Sequence, residues 1–209
     1  GDLAAAVDEL DTVEALTVDA VGPRYRVPLL TLRAGLAMWQ DRPDYALMAV
    51  DEALEDETAH ADVWLLAPLL WHGLRAHADH AEAAWTRRDD GTNGRHARAG
   101  ELLAAAEALL DRAETDAPPV RQAVEAYAAL CRAEHSRLDG AGAVAAWLAA
   151  ADALRPLGQP YPLAYTRWRE AEARLHERTR STVAAEALRE AHRVAVALGA
   201  EPFRRRIEA

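Results

Sequence analysis

Lysine is absent from this 209-residue chain, and all 24 of its basic residues are arginine. That absence excludes a phosphate-binding loop of the kind ending in Lys-Ser/Thr. One cysteine, Cys131, excludes an internal disulfide framework and suits a reducing compartment. Phe, Ile and Asn occur once each, so strand formers are scarce, while alanine, the best helix former, fills about a quarter of the chain. The longest run of Ala and larger apolar residues, Ala143 to Ala151, spans nine positions, too few to cross a bilayer. No charged-then-apolar leader opens the sequence. A cytoplasmic protein without a membrane segment is the expectation. The net charge of −10 makes the chain a poor ligand for phosphate backbones, so no direct nucleic-acid binding is expected of this segment. The excess of Ala and Arg fits a GC-rich coding bias.

What is present is repetition. Ala46-Leu47-Met48-Ala49-Val50-Asp51-Glu52-Ala53-Leu54 returns as Glu101 to Leu109 and again as Ala146 to Leu154, with a fainter copy from Ala187 to Ala195. The copies are 55, 45 and 41 residues apart, a scale that marks stacked helical hairpins. Ala49 and Ala53, Ala104 and Ala108, and Ala149 and Ala153 take the small positions where helices cross. Leu54, Leu109 and Leu154 take the bulky positions one turn away.

Punctuation divides the chain accordingly. Asp2–Leu10 reads as a short helix, and Asp19–Pro23 as a connection. Leu29, Leu32, Leu36 and Trp39 form a helical stripe. Asp62–Arg88 is the longest helical stretch, with a kink expected at Pro68. Asp89–Gly94 reads as a loop of turn formers. Pro118-Pro119 opens another helix, Ser181 caps the next to last, and Gly199 with Pro202 ends it. Phe203–Ala209 reads as the start of one more helix. The expectation is an all-α, TPR-like superhelix over 1–209, with hairpins at about 24–57, 62–113, 118–155 and 162–198 and a short helix at each end, cut from a longer protein.

Two segments carry a narrower likeness. Tyr161-Pro162-Leu163-Ala164-Tyr165-Thr166-Arg167-Trp168-Arg169-Glu170-Ala171-Glu172-Ala173-Arg174-Leu175, and Ala185 through Pro202, resemble consecutive helices of the large LuxR-type, MalT-like bacterial regulators. That resemblance implies a helical-repeat sensor region set between an ATPase module and a C-terminal helix-turn-helix. The chain has no Lys for an ATP-binding loop and no DNA-reading helix after Ile207. The resemblance therefore implies that both activities belong to other modules of a parent chain, which would be this segment's partners beside a protein or small-molecule effector.

Candidate chemistry is sparse. His72, His77 and His80 share a helix with Asp79 and Glu82, and His77 and His80 at i, i+3 can hold a metal ion together. His77 also falls on the apolar stripe Leu70, Leu74, Ala81, Trp85, which favours a core-edge histidine. Cys131 and His135, four apart, could pair as thiol and base, yet Val124, Tyr127, Cys131 and Leu138 read as a buried stripe. Trp39, Trp71, Trp85, Trp147 and Trp168 fill gaps between alanine-rich helices or line a groove. Tyr165, Arg169, Glu172 and His176 form a polar stripe at i, i+4, i+7, i+11; with Trp168 they are the candidate ligand or partner groove, against the alternative of a solvated face with Arg169–Glu172 pairing. Arg204-Arg205-Arg206 is a basic cluster that reads as a solvated helix end or a contact to a neighbouring module. No catalytic residue, metal site or cofactor is assigned. The expected function is a non-catalytic module for ligand sensing or protein interaction in a LuxR-type regulator. The alternatives are a free-standing interaction scaffold and a metal-dependent helical enzyme.

Overall fold

The computed structural model describes residues 1–17, 23–55, 62–87, 93–140, 142–177 and 182–209. Among them are ten α-helices and no strand: α1 (Leu3–Thr17), α2 (Pro23–Trp39), α3 (Pro43–Glu55), α4 (Val63–Arg87), α5 (Asn93–Ala113), α6 (Pro118–Ser136), α7 (Val144–Leu154), α8 (Pro160–His176), α9 (Thr182–Ala197) and α10 (Glu201–Glu208). The all-α expectation holds. No helix among the described residues is long and apolar enough to cross a membrane. The cap at Ser181 and the connections at 18–22 and 88–92 lie outside the described residues, while Asn93 and Gly94 already belong to α5. The first helix runs beyond the expected Leu10 to Thr17, and α4 continues through Pro68.

Local chemistry sets the boundaries. The Asp2 carboxylate caps α1 by accepting the Ala4 and Ala5 amides at 3.0 and 3.2 Å. Proline begins α3, α6 and α8, where the first amides have no helical partner. The α2 helix closes at Asp41, left-handed at φ 57°, with the Arg42 amide donating back to the Ala37 carbonyl at 2.9 Å. Gly199, at φ 61°, ends α9 as its sequence position predicts.

Helices pair as hairpins, α2 with α3, α4 with α5, α6 with α7 and α8 with α9. The helices α2, α4 and α6 also pack side by side, and α3, α5 and α7 each touch the helix that follows. Side chains of α2 also meet those of α8 and α10. Trp39 of α2 donates to the Tyr161 hydroxyl of α8 at 2.8 Å, and the Phe203 ring of α10 lies 5.6 to 5.8 Å from Trp39, Tyr161 and Trp168. The Gly1 amino group donates to the Gly199 carbonyl, and Arg206 pairs with Asp41.

The repeated windows fall on α3, α5, α7 and α9, one per hairpin, but they do not share one buried register. In α3 the buried positions are Ala46, Ala49, Val50 and Ala53, and in α9 they are Ala187, Ala191 and Ala195. In α5 they are Leu102, Ala106 and Leu109, and in α7 Trp147, Ala150, Ala151 and Leu154. The expected small contacts at Ala104, Ala108 and Ala149 are therefore exposed, because the buried face of α5 and α7 is offset by one residue, about 100° of helix rotation. The α2 stripe is corrected likewise. Leu32 is 61% exposed, while Val27, Leu30, Ala34, Ala37 and Met38 are buried.

Two glycines bring elements together. A Cβ on Gly73 would sit 3.0 Å from Leu102 and 3.2 Å from Val50, so α4 approaches α5 and α3 closely there. Gly142 has φ +87°, and a Cβ would meet Trp147 Nε1 at 2.8 Å. Gly142→Ala is expected to cost about 1–3 kcal/mol in urea unfolding, through left-handed strain plus displacement of Trp147; an unchanged midpoint would contradict this.

Candidate functional site

The α8 stripe descends from surface to core. His176 is exposed, Glu172 is half-buried, Arg169 and Trp168 are each 5% exposed, and Tyr165 is fully buried. A solvated face is thereby ruled out for the inner half of the stripe. Arg169 and Glu172 do pair, at 2.8 Å, but the remaining Arg169 donors turn inward, Nε to the Tyr165 hydroxyl at 3.1 Å and Nη2 to Asp79 of α4 at 3.1 Å.

Beneath the stripe lies a polar network joining α4, α6 and α8. Arg137, in the turn after α6, gives Nη1 to Glu134 and Nη2 to both Asp79 and Glu82, each at 2.7 Å. The fully buried Glu134 also accepts the Tyr165 hydroxyl at 2.7 Å and the Trp71 indole N–H at 3.2 Å. Burial would raise the Asp79 carboxyl, but Arg137, Arg169 and Arg75 overcome it and hold it down to about 2. Burial disfavours the Arg137 cation; Asp79 and Glu134 more than compensate, so it stays charged.

Arg75 is the unusual member. Its side chain is wholly buried, its guanidinium carbon lies 4.8 and 4.7 Å from the Trp39 and Tyr165 ring centres, and the Asp79 carboxylate is 4.0 Å from its Nε. Burial disfavours its charged form, but Tyr165, Tyr161, Asp79 and Glu134 outweigh it, the Tyr161 hydroxyl lying within hydrogen-bonding reach of the guanidinium. Ring faces, the Tyr161 hydroxyl and distant carboxylates together hold this cation.

Two clefts open above the network, of about 690 and 720 Å3, sharing Glu82, Thr86, Arg169 and Glu172. The first continues past Trp168 to Asp41 and Arg206, and the second past Trp85 to Leu175 and His176. Four of the five sequence-derived candidates thus line one groove: Arg169 and Glu172 in its middle, Trp168 and His176 toward its two ends. Tyr165 lines neither cleft; it is an interior anchor. Asp79, Glu82, Glu134 and Arg137 were missed as members of this site. The available signal was local, since His72, Arg75 and His77 break the apolar buried run on α4 and Asp79 follows at its edge.

The other candidates resolve individually. His72 is stacked on Trp71 with ring centres 4.6 Å apart, and burial, assisted by Arg75, pushes it down to about 3. His77 is buried, and His80 Nε2 sits 2.9 Å from Asp44. Among the described residues no group of three or more His, Cys, Asp or Glu is placed to hold a metal ion. Cys131 is wholly buried, and burial raises its thiol well above the ordinary range, which disfavours a thiolate nucleophile. Trp71, Trp147 and Trp168 are core, whereas Trp85, expected on the apolar stripe of α4, is 40% exposed and faces the groove. Each arginine of the basic cluster has a carboxylate: Arg204 pairs with Glu201 and Glu208, Arg205 with Glu201, and Arg206 with Asp41.

In comparisons with known proteins, the chain matches no family model, no curated protein and no solved structure.

Proposed function

We propose that this chain is a non-catalytic, TPR-like helical-repeat module that senses a ligand or docks a protein within a LuxR-type bacterial regulator. The observation that carries the reading is Arg169. Its guanidinium lines the groove and at the same time holds Asp79 of α4 and Tyr165, which in turn binds Glu134 of α6. A molecule engaging Glu172 or Arg169 therefore acts on the contacts that set how three hairpins pack. Such a molecule shifts the packing only by its difference in affinity between two arrangements, and that difference is what neighbouring modules would read.

The regulator assignment rests on the likeness of the Tyr161–Leu175 and Ala185–Pro202 segments. Reading the genomic frame around the coding sequence tests it. A Gly-rich loop ending in Lys-Ser/Thr is expected upstream and a helix-turn-helix downstream. A frame with neither leaves an interaction scaffold as the surviving alternative.

A further inference from the structure

The groove has an open end and an occupied end, and the occupied end shows what kind of group it accepts. There Arg206 of α10 pairs with Asp41, and its guanidinium carbon lies 5.7 Å from the centre of the Trp39 ring. An arginine is thus held between a carboxylate and an indole.

The open end sets an indole beside a carboxylate again: Glu82 already accepts Arg137 from below at 2.7 Å, and among the described residues no guanidinium lies over the Trp85 ring. Trp85 is 40% exposed and Glu82, three residues earlier on the same face of α4, has a side chain 61% exposed. Leu175, 52% exposed, adds an apolar wall, and Glu172 and Asp139 complete an acidic rim. The arginines beneath do not invite an anion. Arg137 gives its Nη atoms to Glu134, Asp79 and Glu82, and Arg169 gives its donors to Tyr165, Glu172 and Asp79. Carboxylate oxygens and an indole face are what the groove presents, in a chain of net charge −10.

We infer that this open end docks a partner protein through an arginine side chain set beside an aliphatic residue, with the guanidinium over Trp85 between Glu82 and Glu172 and the aliphatic group on Leu175. The inference rests on the groove being the ligand site of the proposed module. Cation–π contact with a partly desolvated indole, together with two carboxylates, supplies the specificity.

The test uses the full chain and a short fluorescein-labelled peptide of alternating leucine and arginine, followed by fluorescence anisotropy. A second peptide carries citrulline in place of arginine, which keeps the shape and removes the charge. Saturable binding of the arginine peptide is expected, weaker by about tenfold or more for the citrulline peptide and falling as salt rises. Trp85→Ala and Glu172→Gln are each expected to weaken it by about fivefold or more. Trp85 is exposed, so its variant should keep the melting temperature. No saturable binding, equal binding of the two peptides, or full affinity in Trp85→Ala would each overturn the inference. The last result would mean general attraction to an acidic surface. If the peptide fails while the flanking frame carries the regulator modules, the arginine partner alone is removed. If the frame lacks them, the sensor reading falls whatever the peptide does.

Discussion

Replacing Glu134 with alanine is expected to destabilise the fold by about 3–5 kcal/mol, a large part of the ~5–15 kcal/mol that domains have. The loss has three sources. Arg137, buried to 3% exposure, loses its Nη1 acceptor; the Tyr165 hydroxyl and the Trp71 indole N–H lose theirs. Each buried donor then carries an uncompensated desolvation cost. Glu134→Gln keeps the oxygen that Tyr165 and Trp71 share but sets an amide NH2 against Arg137 Nη1, so its loss falls on the Arg137 contact alone and is expected to be smaller than that of alanine. Urea unfolding of the two variants measures the difference. A Glu134→Ala protein within about 1 kcal/mol of the parent would show that the network adds little to folding.

Acid is expected to weaken the protein well above the carboxylate range, through His72. Its folded-state value is lowered from 6.5 to about 3. The unfolded chain therefore binds the proton more readily than the native one, and stability falls with pH between these two values. The contribution is fully present above pH 6.5 and declines on acidification. At pH 5 it amounts to about 2 kcal/mol lost. Asp79, lowered from 3.8 to about 2, adds a second loss only below about pH 4, because a depressed carboxyl stabilises above its unfolded value. His72→Leu, similar in volume and unable to titrate, should flatten the melting-temperature profile between pH 7 and 5 and leave the lower limb intact. An unchanged profile in that variant would assign the slope to other groups.

How far the sequence carried depended on which interactions are local. Helix boundaries at Pro118 and Gly199 follow from backbone chemistry within a few residues, and they are where the chain's punctuation puts them, while α8 begins at Pro160, two residues before the expected 162. The four outer helices, α3, α5, α7 and α9, were legible as repeated windows. Their facing was not. In an alanine-rich chain, large residues do not mark the inner face, because close helix crossings select Ala34, Ala49 or Ala150 and displace Leu32 or Met48 to the outside. The α8 stripe was legible as polar spacing, since Tyr165, Arg169, Glu172 and His176 lie on one helix. Its burial was not, because the groups that neutralise Arg169 come from Asp79, 90 residues away, and the Tyr165 partner Glu134 is 31 residues away. Periodicity describes one helix at a time, and a network spanning α4, α6 and α8 leaves no period to detect. The closure of α10 onto Trp39 through Phe203 is equally non-local.

Cys131 has a consequence of a different kind. The chain's sole sulfhydryl sits on α6 with no exposed surface, among the side chains that hold that helix to its neighbours. A thiol-reactive dye can reach it only when α6 separates from the stack, so the speed of labelling becomes an internal clock for that opening. Timed under native conditions, the reaction reports how often the hairpins part, without any engineered reporter.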